Sequence, residues 1–387
     1  MTTPTRGPAA RALAPDLARG AMLLAIACAH APLFVVAVDH GPRLANDIAL
    51  VVHQIFVGNH ARPMFAFLFG YALVQMLDRR TERGADWPEV RRLLRRRGWW
   101  LVAFGALHTA LVPLDILAVY GITSVLLVGL LRVRNRTLLW VAGAALVPAT
   151  LSAGIGMWQA LSQGVTTFDT GSVAGAAAPL FPERLQVWLF SLFFAGAAVA
   201  PPMIIGIWAA RRRLLDEPER HRALLLRAAV LTTAVSVLGA APAILIQLGA
   251  WTDPPAAAVW AASLAQPLTG YFGGIGMAAI IALAAIGAAR RRGPLTTAVE
   301  ALGQRSMSLY LFQTFAFLAV FRPYGLGLQD DLGLAGAFGV AGAIWLVSLP
   351  AADLMRRAGR RGPAEALLRR LAYPAPAGRA SASPLPR

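Results

Sequence analysis

Long apolar runs separated by short arginine-rich segments dominate the sequence. A run of about 17 to 25 apolar residues is long enough to cross a bilayer as a helix. Such runs lie at about 17–38, 63–78, 98–113, 115–131, 137–157, 187–210, 224–250, 266–289, 306–323 and 333–355. The pattern predicts an all-α, polytopic membrane protein with about ten transmembrane helices, of which the second to fourth are short.

The basic residues fall into alternate loops between these runs. All 36 of them are arginines, and all but four lie on one side of a ten-span topology. The four on the opposite side are Arg43, Arg62, Arg184 and Arg322. Because cytoplasmic loops carry an excess of basic residues, we expect both termini in the cytoplasm and the chain in a bacterial plasma membrane.

This topology divides the chain into four segments. They are a cytoplasmic N-terminal segment (1–16), a transmembrane domain (17–355), a cytoplasmic C-terminal segment (356–373) and a disordered tail (374–387). The transmembrane domain has two sizeable external loops, 39–62 and 158–186. The first contains the stretch Asn46–Phe56, whose pattern predicts an interfacial helix.

Composition excludes several classes of function. Hydrophobic residues make up 57% of the chain, charged residues 14%, and the mean hydropathy is +0.58, which is typical of a membrane protein. The net charge of +17 comes from arginine clusters between apolar runs, without a base-reading motif, so we expect the bilayer and no nucleic acid as partner. Cys28 is the only cysteine, and the six histidines lack zinc spacing, so we expect no metal site.

Arg19 and His30 are the first candidates for chemistry. They are eleven residues apart, about three helical turns, and so lie on one face of the first span, about 16 Å apart along the axis. An ionisable side chain inside an apolar span is costly and indicates a functional site by default. The alternative is a histidine that only hydrogen-bonds a neighbouring helix.

A second group of polar residues lies where the third span ends and the fourth begins. His108 precedes Asp115 by seven residues, and Tyr120 follows. His108 and Asp115 could form a base with its orienting carboxylate or a structural ion pair. We expect Asp115 to contact Arg62, directly or bridged by His108, at the outer end of a cavity whose floor is His30.

Other polar residues extend this set. His60 and Arg62 lie just before the second span, where a lipid headgroup contact is the alternative to a substrate contact. Ser306, Tyr310 and Gln313 share one helical face, and interhelical hydrogen bonds are the alternative there. Four glycines around Tyr271 predict a broken or closely packed helix; they are Gly270, Gly273, Gly274 and Gly276.

Several stretches, in order along the chain, resemble the YeiB family of bacterial inner-membrane proteins, number 418 in the domain-of-unknown-function series. These stretches are Arg19-Gly20, Arg62-Pro63 with Phe67-Leu68-Phe69-Gly70, His108, Asp115-Ile116-Leu117 with Tyr120, Gly303 to Gln313, Tyr324-Gly325-Leu326-Gly327-Leu328 and Gly362 to Arg370. That family is grouped with the membrane acyltransferase-3 superfamily, whose first helix carries an arginine and, eleven residues on, a histidine thought to be catalytic.

Arg19 and His30 match that spacing. Many YeiB-like proteins have asparagine where this chain has His30, and the family's closing Glu-Trp is Glu365-Ala366 here. The resemblance implies architecture more firmly than activity, because the family has no settled function.

Three functions remain open at this point. The first is acyl transfer to an extracytoplasmic glycan or lipid, with His30 as general base, Arg19 holding an anionic donor such as acyl-CoA, and no bound cofactor. The second is a transporter or permease, in which His30, His108 and Asp115 relay protons or substrate. The third is a non-catalytic scaffold or sensor. The sequence does not predict the oligomeric state.

Overall fold

The computed structural model describes residues 12–112, 115–163 and 181–373, and within these ranges it contains helices and turns but no strand. The helices are α1 (Leu13–His30), α2 (Arg43–Val52), α3 (Ala61–Thr81), α4 (Trp87–Thr109), α5 (Leu117–Leu127), α6 (Asn135–Ser162), α7 (Phe181–Arg211), α8 (Arg222–Gln247), α9 (Ala256–Arg290), α10 (Pro294–Gln304), α11 (Ser306–Phe321), α12 (Leu334–Arg357) and α13 (Pro363–Ala372). The all-α prediction is confirmed.

The predicted number of spans is not confirmed. Six helical segments of the described residues are long and apolar enough to cross a membrane: Leu13–Phe34, Asn135–Ser162, Trp188–Arg211, Arg222–Gln247, Ala256–Arg290 and Leu334–Arg357. Two shorter apolar helices are Leu117–Arg132 and Ser306–Phe321. The predicted spans 63–78 and 98–113 fall largely on α3 and α4, whose ends carry arginines that lower their hydropathy. The count of ten therefore stays a prediction.

The predicted external loop 39–62 contains regular structure. Instead of one helix over Asn46–Phe56, α2 covers Arg43–Val52 and a π-helical turn follows at His53–Val57. Three other predicted segments lie wholly or partly outside the described residues: the N-terminal segment up to residue 11, the middle of the loop 158–186, and the tail 374–387.

Loops that the arginine pattern assigns to one side contact each other. Arg211, at the end of α7, donates to the carbonyl oxygens of Val133 (2.6 Å) and Leu130 (3.2 Å). Arg290 pairs with Glu219 at 2.9 Å. We call this end of the bundle the arginine-rich end.

The opposite loops also meet. Val36 donates its N–H to the carbonyl oxygen of Gln329 at 3.0 Å, and Ala335 donates its N–H to Asn46 Oδ1 at 2.9 Å. The helices thus form one bundle with an arginine-rich and an arginine-poor end. The orientation of this bundle in the membrane stays a prediction from the arginines.

Glycines allow the central helices to pack closely. A Cβ on Gly70 of α3 would collide with the carbonyl group of Met203 in α7, and one on Gly206 of α7 would collide with that of Phe67. In α9, Gly270 and Gly274 lie against the backbone of residues 59–64. The helix α9 is continuous through its glycines, so they serve close packing rather than a helix break.

Candidate functional site

Two cavities enter the bundle from its opposite ends. The one towards the arginine-rich end, of about 260 Å³, is lined by three arginines, Arg19, Arg79 and Arg97, and we call it the basic cavity. The other, of about 650 Å³, contains His30, Asp115 and Arg62 in its lining, and we call it the His30 cavity. The sequence predicted a cavity containing these last three residues.

A thin wall separates the two cavities. Ile26, Ile116 and Tyr120 line both of them. Tyr120 is only 2% exposed, its ring stacks on Phe69 with 5.4 Å between centroids, and its hydroxyl donates to the carbonyl oxygen of Arg62 at 3.2 Å. The tyrosine is therefore fixed between the cavities by packing and by a hydrogen bond.

Arg19 and His30 lie on the same helix but open to different cavities. Arg19 belongs to the basic cavity, where its Nη1 donates to Asp16 Oδ1 at 2.8 Å. The Asp16 side chain is 1% exposed and also accepts a hydrogen bond from Gln304 (3.2 Å). One carboxylate thus holds Arg19 beside α10, on the opposite side of the wall from His30.

His30 is the last residue of α1, where a 3₁₀ turn with Pro32 redirects the chain. Its ring packs edge-on against Tyr310, with 5.8 Å between centroids. The same tyrosine ring lies 5.3 Å from the ring of His108. Tyr310 therefore connects the histidine of α1 to the His108–Asp115 group.

The His108–Asp115 pair exists without Arg62. His108 Nδ1 lies 3.3 Å from Asp115 Oδ1, and both side chains are almost fully buried. The carboxylate also accepts N–H groups of Leu117 (3.1 Å) and Ala118 (2.7 Å) at the start of α5. These two N–H groups stabilise the Asp115 carboxylate in place of the arginine that we expected, because they lie at the positive end of the helix dipole.

The predicted Arg62–Asp115 contact was therefore wrong, although both residues line the His30 cavity. Arg62 is exposed, and its Nη2 donates to Asn59 Oδ1 at 3.5 Å. His108 does not bridge to it, since its Nε2 is hydrogen-bonded to Thr314 Oγ1 at 3.0 Å.

His60 is buried behind the cavity rather than exposed in it. Its Nε2 is hydrogen-bonded to Ser236 Oγ and its Nδ1 to the carbonyl oxygen of Gly58, each at 2.5 Å. The ring also packs against Gly273 of α9. These contacts favour a structural role for His60.

Amide side chains form a network at the arginine-poor end of the His30 cavity. Gln266 of α9 donates to Gln54 Oε1 (3.0 Å) and accepts from Asn59 Nδ2 (2.7 Å). Gln54 in turn donates to Gln247 Oε1 of α8 at 2.6 Å. Gln54 and Asn59 line the cavity. The π-helical turn is thereby tied to two long helices.

The polar residues of α11 have two different roles, lining the basic cavity and contacting a neighbouring helix. Ser306 and Tyr310 line the basic cavity together with Glu365 of α13. Gln313, further along, donates to the carbonyl oxygen of Leu23 at 3.2 Å and is an interhelical contact. Across the described residues, no three histidine, cysteine, aspartate or glutamate side chains are grouped so that they could hold a metal ion.

Fold and cavities together define a polytopic α-helical membrane protein with polar sites on both sides of a narrow wall. Residues 209–375 match the sequence profile of a family described as "Protein of unknown function (DUF418)", which confirms the resemblance for that part of the chain. The chain is also 26% identical over 355 residues to the "Uncharacterized protein YxaH" of Bacillus subtilis (strain 168), over 85% of this chain and 83% of that protein.

Several residues in or directly beside the two cavities were not predicted as site residues from the sequence. Asp16, Arg97 and Glu365 lie in charged stretches that looked like ordinary solvated ends of helices. Gln54 and Gln266 are 212 positions apart in the chain. A polar amide inside an apolar run, as at Gln266, is the one signal that could have indicated a buried partner.

Proposed function

We propose that this protein transfers an acyl group from an anionic donor, bound in the basic cavity, to a hydroxyl acceptor, bound in the His30 cavity. One observation carries the proposal: Arg19 and His30 open to opposite cavities that share a wall of Ile26, Ile116 and Tyr120. A donor and an acceptor that approach from opposite sides of a membrane need such an arrangement.

The basic cavity suits the phosphates of a donor such as acyl-CoA. Three arginines face one glutamate in its lining, Glu365. Two carboxylate oxygens of Glu365 are already engaged, by the N–H groups of Met307 and Ser308 and by the Ser308 hydroxyl. Even with Asp16, which pairs with Arg19, the three arginines outnumber the carboxylates by one, so the cavity keeps a net positive charge. Guanidinium groups bind phosphate with charge-assisted hydrogen bonds.

His30 is the base of the proposed reaction. A ring nitrogen takes the proton of the acceptor hydroxyl while its oxygen forms a bond to the thioester carbonyl carbon. The tetrahedral intermediate collapses with cleavage of the C–S bond, and the thiolate leaves with the proton from the imidazolium. The acyl end of the donor reaches His30 past Tyr120, so the wall has to admit a narrow chain.

The test uses a strain in which deletion of the gene changes the acylation of envelope lipids or glycans, measured by mass spectrometry. His30→Gln should leave this change uncorrected, because glutamine cannot act as a base. His40→Gln is the matched control, since His40 is exposed at the same end of the bundle and does not line the cavity. Full restoration of acylation by folded His30→Gln protein contradicts the proposal.

A carrier is the second candidate, because two opposed cavities with a common wall also fit alternating access. Purified protein in liposomes separates the candidates. Transfer or hydrolysis of acyl-CoA favours the enzyme, flux of a solute favours the carrier, and neither activity favours the scaffold.

A further inference from the structure

The two sides of the His30 cavity differ in polarity. One side presents Gln54, Asn59 and Arg62 from the π-helical turn and the start of α3. The side formed by α6 and α7 presents mostly apolar residues, such as Met157 and Phe194, besides two serines, Ser152 and Ser191. A ligand that fills this cavity has a polar end and an apolar end.

The apolar side of the cavity reaches the outer surface of the bundle. Gly156, Phe190 and Phe194 line the cavity and are at the same time exposed, with Phe190 at 70%. The segments Asn135–Ser162 and Trp188–Arg211 that carry them are both long and apolar enough to cross a bilayer. The surface at this opening is therefore covered by lipid chains rather than by water.

The charge at the polar end is positive. Arg62 is exposed at the cavity, and within the part of the chain that the structure describes its polar contact is Asn59 rather than a carboxylate. Asp115, the carboxylate in the same lining, is held by His108 and by two backbone N–H groups. A guanidinium next to amide groups suits a phosphate that is joined to hydroxyl groups.

We infer that the ligand of the His30 cavity is a membrane lipid with an anionic, hydroxylated headgroup, which enters sideways between α6 and α7. The head would lie at the exposed Arg62, beside the amide network that contains Gln54 and Asn59, and a chain would leave past Gly156 and Phe194. That this lipid is the acyl acceptor rests on the proposed function; that it binds here does not.

The first experiment closes the opening between α6 and α7. A Cβ at Gly156 meets nothing within 4 Å, so a side chain can begin there without striking the backbone, and Gly156→Phe places a ring at the cavity. Gly143→Phe is the matched control, because Gly143 lies on the same helix, also has open space, and does not line the cavity. Binding of phosphatidylglycerol to the purified full chain is measured by native mass spectrometry. We expect binding at least about tenfold weaker in Gly156→Phe than in Gly143→Phe.

The second experiment tests the headgroup. Wild-type protein should bind phosphatidylglycerol more tightly than phosphatidylcholine, and glycerol phosphate without chains should bind far more weakly than either. Arg62→Gln should remove most of the preference for the anionic lipid. Arg43→Gln should keep it, since Arg43 is an exposed arginine of the same end outside the cavity lining.

Three results would overturn the inference. These are equal phosphatidylglycerol binding by both phenylalanine variants, equal binding of the two lipids by wild-type protein, and binding of glycerol phosphate as tight as that of the lipid. The acyl-transfer proposal fails on a different readout, envelope acylation with His30→Gln. A lipid site blocked by Gly156→Phe stands even if His30 proves dispensable.

Discussion

The polar groups of the basic cavity and those of the His30 cavity are stabilised in different ways. In the basic cavity, charged groups offset each other, as Asp16 does for Arg19 one helical turn further along α1. In the His30 cavity, neutral amides satisfy each other, as Gln54 and Gln266 do, and one exposed arginine remains. The three arginines of the first cavity still outnumber its carboxylates, Asp16 and Glu365, so this cavity favours an anionic ligand. The second cavity selects by hydrogen-bond geometry and by its apolar side.

The largest effect is expected from a substitution that removes the wall between the cavities. Tyr120→Ala deletes a buried aromatic ring, which we expect to cost about 3–5 kcal/mol of stability, measured by unfolding in SDS. It should also make liposomes that contain the protein leaky to a small dye. Tyr120→Phe keeps the ring but loses the hydrogen bond to the carbonyl oxygen of Arg62, so we expect it to lower the stability by about 1 kcal/mol. Liposomes that stay tight with Tyr120→Ala would show that the cavities do not share this wall.

The next largest effect concerns the buried carboxylate. Asp115→Ala removes the partner of His108 and two N–H contacts at the start of α5, and we expect a loss of about 3 kcal/mol. When His108→Ala is combined with Asp115→Ala, it should lower the stability by less than it does in the wild-type protein, because the pair is already broken. A double-mutant cycle by SDS unfolding measures this coupling. Strictly additive losses would mean that the two side chains are independent.

The charge of the basic cavity is tested by Arg97→Gln. A lost hydrogen bond to a charged group is worth about 1.5–3 kcal/mol, so CoA should bind roughly tenfold or more weakly, as measured by calorimetric titration. Arg92→Gln is the control, because Arg92 lies on the same helix but outside the lining of the cavity. Equal CoA affinity of both variants would show that Arg97 does not contribute to the donor site.

The smallest effect is expected at the arginine-poor surface. Arg43 pairs with Asp47 at 3.7 Å, and its side chain is 87% exposed. Such pairs contribute little in water, so Arg43→Ala should change stability by less than about 0.5 kcal/mol. A larger shift in SDS unfolding would show that this loop supports the His30 cavity more strongly than its exposure indicates.

The sequence predicted the helices well because apolar runs report burial in a membrane directly. Each of the ten predicted runs coincides largely with an observed helix. The number of spans is harder, since α3 and α4 combine apolar stretches with arginines at their ends. The sequence also predicted which loops lie at the same end of the bundle, because arginines concentrate in the loops on one side of a membrane.

The contacts inside the cavities were only partly predictable. The sequence suggested a His108–Asp115 pair as one alternative, and the structure forms it across the break between α4 and α5 rather than along one helix. The contact of Asp115 with the N–H groups of α5 depends on where that helix begins. The separation of Arg19 and His30 into two cavities depends on Tyr120 and Ile116, which come from another helical hairpin. Spacing along one helix cannot show what packs between two of its residues.

The thin wall has an electrical consequence in the predicted topology. Water in both cavities would bring the two solutions to within a few side chains of each other, so most of the membrane potential would fall across Ile26, Ile116 and Tyr120. Moving one elementary charge through 100 mV is worth about 2.3 kcal/mol. With the arginine-rich end in the cytoplasm, as predicted, this force pulls an anionic donor outward. In the proposed reaction, Arg19, Arg79 and Arg97 would oppose this force and hold the phosphates of the donor on the arginine-rich side while the acyl chain passes the wall.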